Sequence, residues 1–358
     1  MMKGLNLIGY ATSPTGLGED LRSFAAMLDY LDISYSVIDV PTESSGKVKP
    51  EWQRLTQETY LVSFFFMSPM ECLRLQEVHP QLFLEPRIKV GYFLWELPDF
   101  PEDFIPALNL VDQIWCPTKF VQQAFFSKVK KLTLAIPLPV ITSEKSGRNF
   151  RKELAIPKDA FVVLNMFDIR STLKRKNPQA TIEAFIKFAQ DKPNAYLILK
   201  INRWQQVDKK LFSWIPNSPK VKIIIDTLNN NELTDLYQAA DVYLSLHRSE
   251  GFGRTLVEAM QHGLELISIN YSGPKDYLDP SCARLVTWYK KSVLEGDYPY
   301  TKGSSWAEPS VTSAVVQLNA VFNEKDTTRK ALIKAAGNQF SVESLAKRYK
   351  PVLMTYLR

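Results

Sequence analysis

The stretch Asp241–Gly263, "DVYLSLHRSEGFGRTLVEAMQHG", passes from a strand-like apolar run through a glycine-bracketed turn into a helix-like run. Two carboxylates, Glu250 and Glu258, stand on either side of that turn. One reading makes them acids of a helix start, where the backbone dipole favours negative charge. The other makes the turn a ligand site: glycines let backbone N–H groups approach an anion, and carboxylates beside them accept hydrogen bonds from hydroxyls. The stretch alone leaves both readings open.

Outward from it, strand-like and helix-like runs alternate along the whole chain. "GLNLIGYA" is followed by a glycine loop and by "GEDLRSFAAMLDYL", in which Leu21, Phe24, Ala25 and Leu28 recur at i, i+3, i+4 and i+7. "SYSVIDV", "TYLVSFFFM", "RIKVGYFLWE" and "DQIWCP" continue the first series. The polar stretch "ITSEKSGRNFRKELAIPKDA" reads as a linker, after which "FVVLNMFD", "AYLILKIN", "VKIIID", "DVYLSLH" and "LISIN" alternate with helical segments. Alternation of this kind implies parallel sheets covered on both faces, with ligands expected at the carboxyl ends of the strands. The expected architecture is α/β, two doubly wound Rossmann-like domains facing each other across a cleft: residues 1–143, residues 144–336, and a C-terminal helix at 337–358 crossing back to the first domain.

Composition narrows the function. A chain of 358 residues suits two domains, and 45% hydrophobic with 23% charged residues is ordinary for a folded protein. Cys72, Cys116 and Cys282 are scattered without a C-x-x-C pair or a nearby histidine, which supports neither a disulfide framework nor a zinc site and suits a reducing compartment. The N-terminal run breaks into Ser, Pro and Gly instead of continuing as a secretory signal, and no segment approaches the ~20 apolar residues of a spanning helix. The expected location is cytoplasmic, with membrane contact limited to peripheral association at the inner face. The net charge of +6 is spread along the chain, and its basic runs lack the interleaved aromatics of a single-strand platform, so nucleic acid is not an expected partner.

"HRSEGFGRTLVEAMQHG" resembles the E-x7-E motif of the retaining glycosyltransferases of family four, which have the GT-B fold. The preceding "NNNELTDLYQAADVYLSL", the following "LISINYSGPKDYL" and "RKNPQATIEAF" resemble that family's neighbouring blocks in order, and "GYFLWELPDFPEDFIPALNLVDQIWCPTKFVQQAF" resembles a bacterial surface-polysaccharide branch. The resemblance spans most of the chain and is strongest over 165–280. It implies transfer of a sugar from a nucleotide-sugar donor to an acceptor hydroxyl with an α-linkage, in polysaccharide or glycoconjugate synthesis. The acceptor would be a glycan, a lipid-linked sugar or another hydroxyl compound. A nucleotide-sugar epimerase and a non-catalytic sugar-nucleotide-binding protein are the alternative readings.

The same resemblance assigns roles. Glu250 would hold hydroxyls of the donor sugar and Glu258 those of the ribose, while Gly251, Phe252 and Gly253 turn backbone N–H groups toward the diphosphate. Lys176 matches the family's lysine, placed to stabilise charge on the leaving diphosphate. The family's arginine five positions earlier is replaced by Ser171, so Arg170 or Arg175 would be the second cation. Gly16 and Gly18 would face the donor from the first domain, and Glu96, at a strand end where relatives often carry a histidine, would orient the acceptor or stabilise charge on the sugar. No D-x-D pair occurs to bridge a metal to the diphosphate, so neither a metal nor a cofactor is expected.

Overall fold

In the computed structural model, which describes residues 3–40, 60–84, 88–202, 213–300, 303–324 and 328–357, the apolar runs pair into two parallel sheets. The chain divides into two units, Met1–Ile141 with Gln339–Arg358, and Thr142–Asn338. Among the described residues, the first unit holds β1 (Leu5–Gly9), β2 (Tyr35–Asp39), β3 (Val62–Phe66), β4 (Ile88–Tyr92), β5 (Gln113–Cys116) and β6 (Thr133–Ala135), in the order β2-β1-β3-β4-β5-β6. Every residue of β1 and β3 is buried, as expected of strands covered on both faces.

Helix Gly16–Tyr30 covers one face with Leu21, Phe24, Ala25 and Leu28, the stripe its spacing predicts. Thr15 caps it, its side chain accepting the Gly18 N–H. The last helix, Val342–Thr355, brings Tyr356 back into this unit: its ring lies 5.6 Å from Phe64 and 5.9 Å from Trp115, and its hydroxyl donates to Gln113 Oε1 at 2.5 Å.

The second unit holds β7 (Phe161–Asp168), β8 (Ala195–Asn202), β9 (Val221–Ile224), β10 (Val242–Ser245), β11 (Glu265–Ile269) and β12 (Arg284–Val286), in the order β12-β11-β10-β7-β8-β9. Alternation along β8 divides its core: Leu197 and Leu199 pack with Ile182 and Phe185 of helix Pro178–Phe188, whereas Ile198 packs with Leu256 and Met260 of helix Arg254–Gln261. The winding reverses between β7 and β10. Loops leaving the carboxyl ends of two such strands diverge to opposite faces and open a crevice between them, the usual ligand position in this class of sheet.

Two features differ from the sequence reading. The stretch 141–160 is docked rather than a free linker. Ser146 N and Oγ and Arg148 N all donate to Asp235 Oδ2, at 3.0, 2.6 and 2.9 Å, while Phe150, Ile156 and Ala160 enter the core beside Leu236. Burial opposes the Asp235 charge, but these donors hold its carboxyl below the ordinary range. The second feature is an antiparallel hairpin after β12, formed by β13 (Trp288–Ser292) and β14 (Ser305–Pro309).

Candidate functional site

The loops that leave β7 and β10 converge on one carboxylate. After Asp168 the chain makes a tight turn over Ile169–Ser171 and a single helical turn, Leu173–Lys176. Asn177 then adopts the left-handed region at φ 50, and Pro178 starts the next helix. Asn177 Nδ2 donates to Leu246 O at 3.0 Å and Arg248 N to Arg175 O at 2.8 Å, so the two loops are tied by one side-chain and one main-chain hydrogen bond. Between them Glu250 accepts from Lys176 Nζ at 2.5 Å on Oε1 and from Arg175 Nη1 at 2.9 Å on Oε2.

The two cations are held differently. Arg175 is 4% exposed, and its guanidinium also donates to Ser249 O at 2.9 Å and Ser171 O at 3.2 Å, so it is fixed in place. The Lys176 side chain is 21% exposed and reaches the carboxylate from the open side. Burial pushes the Glu250 carboxyl up, yet Lys176 and Arg175 together outweigh it and hold the group well below the usual carboxylate range. Glu250 is therefore ionised throughout the physiological range, and its carboxylate occupies cations that an incoming anion would also seek.

The main chain of Glu250 is fixed from the loop after β11. Its N–H donates to Ser272 Oγ and its carbonyl accepts from Gly273 N, each at 2.9 Å. Gly273 has no alternative here: a Cβ at this position would lie 2.0 Å from Gly251 O. Gly253 adopts φ 84, a left-handed conformation that L side chains rarely take, and turns the chain into helix Arg254–Gln261. No side chain caps that helix and no acid lies in its first turn. Glu250 precedes the helix and Glu258 begins its second turn, so neither is a helix-start acid.

Glu258 accepts from Tyr237 Oη at 2.6 Å, and burial together with this neighbouring carboxylate raises the Tyr237 phenol well above its ordinary value. Phe252 is buried against Tyr277 with ring centroids 5.6 Å apart, and the Tyr277 hydroxyl donates to Phe252 O at 2.5 Å, which shapes the turn between the two acids.

Seven of the expected residues thus gather around the β7 and β10 ends: Arg175, Lys176, Glu250, Gly251, Phe252, Gly253 and Glu258. The side chain of Arg170 lies outside the described residues. Gly16, Gly18 and Glu96 belong to the first unit. There, space is open over Gly16, whereas a Cβ on Gly18 would lie 2.3 Å from Ser13 O, so Gly18 serves close packing of the helix start on its loop. Glu96 stands four residues beyond the end of β4 and is half-buried.

His247 reads in the sequence only as a histidine that forms no ligand spacing with His79 or His262. It is 1% exposed, its Nδ1 lies 3.0 Å from Ser245 Oγ, and its Nε2 has no hydrogen-bond partner. Burial, with the charges of Lys176 and Arg175, pushes the imidazole down to about 4 despite the nearby Glu250, so it is neutral at physiological pH. The available signal was a histidine ending the apolar run "VYLSLH" directly before the acid motif. Among the described residues no group of three or more His, Cys, Asp or Glu is placed to hold a metal ion, and no helix is long and apolar enough to cross a membrane.

Comparison with known proteins sets this geometry in context. Residues 146–287, which carry the whole cluster, match the family model described as glycosyl transferases group 1. An alpha-monoglucosyldiacylglycerol synthase from Acholeplasma laidlawii is 32% identical over 120 residues, 33% of this chain and 29% of that protein; the match thus spans less than a third of the relative. Among solved structures, HepE of Anabaena in complex with UDP and glucose superposes with a TM-score of 0.66 at 18% identity, covering 99% of this chain and 100% of that one. Sucrose-phosphate synthase from Thermosynechococcus elongatus superposes with a TM-score of 0.70 at 13% identity, covering 99% of each chain. The chain therefore has the GT-B fold, two Rossmann-like α/β units, with its second unit matching the glycosyl transferases group 1 model.

Proposed function

We propose that the protein is a retaining glycosyltransferase that moves a sugar from a nucleotide-sugar donor onto an acceptor hydroxyl, forming an α-linkage without a metal ion. The observation that carries this reading is the Lys176–Glu250–Arg175 cluster at the winding reversal of the second sheet, directly before an uncapped helix start. A nucleotide sugar is a diphosphate flanked by two polyols. It requires anion donors at its centre and hydroxyl acceptors at both ends, and this cluster offers both. Glu250 holds the sugar hydroxyls, Glu258 the ribose hydroxyls, and Lys176 with the backbone of 251–254 the diphosphate.

As the bond from the anomeric carbon to the phosphate oxygen breaks, negative charge grows on the diphosphate beside Lys176. The acceptor oxygen forms its bond on the same face, and its proton passes to the departing phosphate, so the anomeric configuration is retained. The E-x7-E spacing supports retention. The name of the Acholeplasma relative, an alpha-monoglucosyldiacylglycerol synthase, supports an α-glucosyl product and a diacylglycerol-type acceptor. HepE was solved with UDP and glucose, which supports a uridine donor as the first to test.

The test is incubation with UDP-, GDP- and ADP-sugars and an alkyl glycoside or diacylglycerol acceptor in excess EDTA, with NMR of the product. Release of nucleoside diphosphate together with an α-anomer is expected. A β-anomer would overturn retention, and activity that needs added manganese would overturn metal independence.

A further inference from the structure

We infer that Arg248 and Glu308 form a positioning pair that makes the β13–β14 hairpin part of the donor-site machinery, an inference that rests on the reading of the Lys176–Glu250 cluster as a donor site. Arg248 lies between the two loops that build the cluster. Its backbone N–H donates to Arg175 O at 2.8 Å, and its Nη1 donates to Lys174 O. It therefore grips the single helical turn that carries Lys176 by two successive carbonyls, while lying two residues before Glu250 in its own loop.

The other edge of the guanidinium is engaged by the hairpin. Nε donates to Glu308 Oε2 and Nη2 to Glu308 Oε1, both at 2.8 Å, a bidentate fork that fixes the plane as well as the position of the group. Ala307 N donates to Arg248 O at 3.1 Å, and the guanidinium stands 5.6 Å from the buried ring of Trp306. Lys291 Nζ, from the opposite strand, completes the network on Glu308 Oε2 at 2.7 Å. Burial disfavours the Glu308 charge, but Arg248 and Lys291 hold its carboxyl below the ordinary range.

The hairpin is a separate two-stranded sheet in which Glu308 pairs with Tyr289, so pairing with the six-stranded sheet does not account for Glu308 reaching Arg248. What the carboxylate orients is an arginine that sets the distance between the Lys176 turn and the Glu250 loop. A shift of about 1 Å between such loops costs rate far more than binding, because the transition state depends on it most. Neither Arg248 nor Glu308 is assigned a contact with donor; both act through Lys176 and Glu250.

Lysine at position 248 keeps the charge but cannot span a loop carbonyl and a carboxylate together. The test compares Arg248→Lys, Glu308→Gln, the double variant and Lys176→Ala. Each is assayed for turnover of UDP-glucose, or of whichever nucleotide sugar the parent uses, for UDP binding by calorimetry, and for thermal unfolding. Arg248→Lys and Glu308→Gln are each expected to lower kcat about tenfold or more with KM and UDP affinity changed less than threefold, and their double variant to be no worse than the poorer of the two. Glu308→Asp, which retains the charge on a shorter arm, should recover part of kcat.

Two results overturn the inference: single variants with kcat within twofold of the parent while Lys176→Ala is impaired, or losses in kcat and in UDP affinity that track lost thermal stability and vanish on assay at low temperature. Unimpaired turnover by Lys176→Ala would instead sink the donor-site reading itself, and the inference with it.

Discussion

Replacing Glu250 by glutamine should tighten the binding of free nucleoside diphosphate while crippling transfer. The Glu250 carboxylate lies 2.5 Å from Lys176 Nζ and 2.9 Å from Arg175 Nη1, so a diphosphate reaching Lys176 must displace an internal anion. Arg175 is locked by Ser249 O and Ser171 O, whereas the Lys176 side chain is 21% exposed, so Lys176 is the cation that changes partner. A unit charge at about 4 Å is worth roughly 4 kcal/mol at an effective dielectric of about 20. Solvent at the open side of Lys176 and the added phosphate-to-carboxylate distance reduce this to about 1–2 kcal/mol, or roughly 5- to 30-fold in affinity.

The same substitution removes the counter-charge of the buried Arg175 and should destabilise the unliganded protein by about 3 kcal/mol, since an unpaired buried cation is costly. Calorimetry with UDP, GDP and ADP, paired with thermal unfolding, measures both effects, and Lys176→Met should abolish the gain when combined with Glu250→Gln. A folded Glu250→Gln protein that binds nucleoside diphosphate more weakly than the parent, or equally well, would refute the competition.

Two more predictions follow from the surroundings of that cluster. His247 is buried and neutral with its value pushed down to about 4, against about 6.5 in the unfolded chain, so the unfolded state takes up the proton first as pH falls. Its contribution, about 3 kcal/mol, should be complete above pH ~6.5 and be lost between there and about pH 4. His247→Asn should flatten denaturant-derived stability across that window, and an unchanged slope would count against a buried neutral imidazole. Gly273→Ala would place a Cβ 2.0 Å from Gly251 O. It should therefore displace the Glu250 loop and cut transfer at least a hundredfold, an effect read in kcat/KM beside a circular dichroism spectrum; a variant of parental activity would show that the loops do not need this close approach.

The fold was legible where burial on both faces makes a strand a nearly continuous apolar run. "AYLILKIN" became β8, Ala195–Asn202, and "FVVLNMFD" became β7, Phe161–Asp168. The hairpin escaped because "WYKKS" in β13 is largely exposed and shows neither a continuous run nor a clean alternation. The docked stretch 141–160 escaped because what orders it is Asp235, 89 residues beyond Ser146, a partner that no local pattern reveals.

At the site, the spacing of Glu250 and Glu258 and the basic run at Lys174–Lys176 could be read directly. That one carboxylate would bind both Arg175 and Lys176 could not, because it depends on how the β7 and β10 loops cross. For the same reason the roles of His247, read only as a histidine without ligand spacing, and of Arg248 stayed hidden, although they stand beside the motif: a histidine and an arginine at a strand end declare a role only once their partners are known.

The most direct test of the account is a crystal structure of the complex with nucleoside diphosphate. Its diphosphate should lie over residues 251–254 at the start of helix Arg254–Gln261, with its ribose on Glu258. Lys176 Nζ should have left Glu250 for a phosphate oxygen, and Arg175 should still hold the Glu250 carboxylate. A nucleotide bound away from these residues, or bound among them with the Lys176–Glu250 pair intact and the ribose remote from Glu258, would contradict the account.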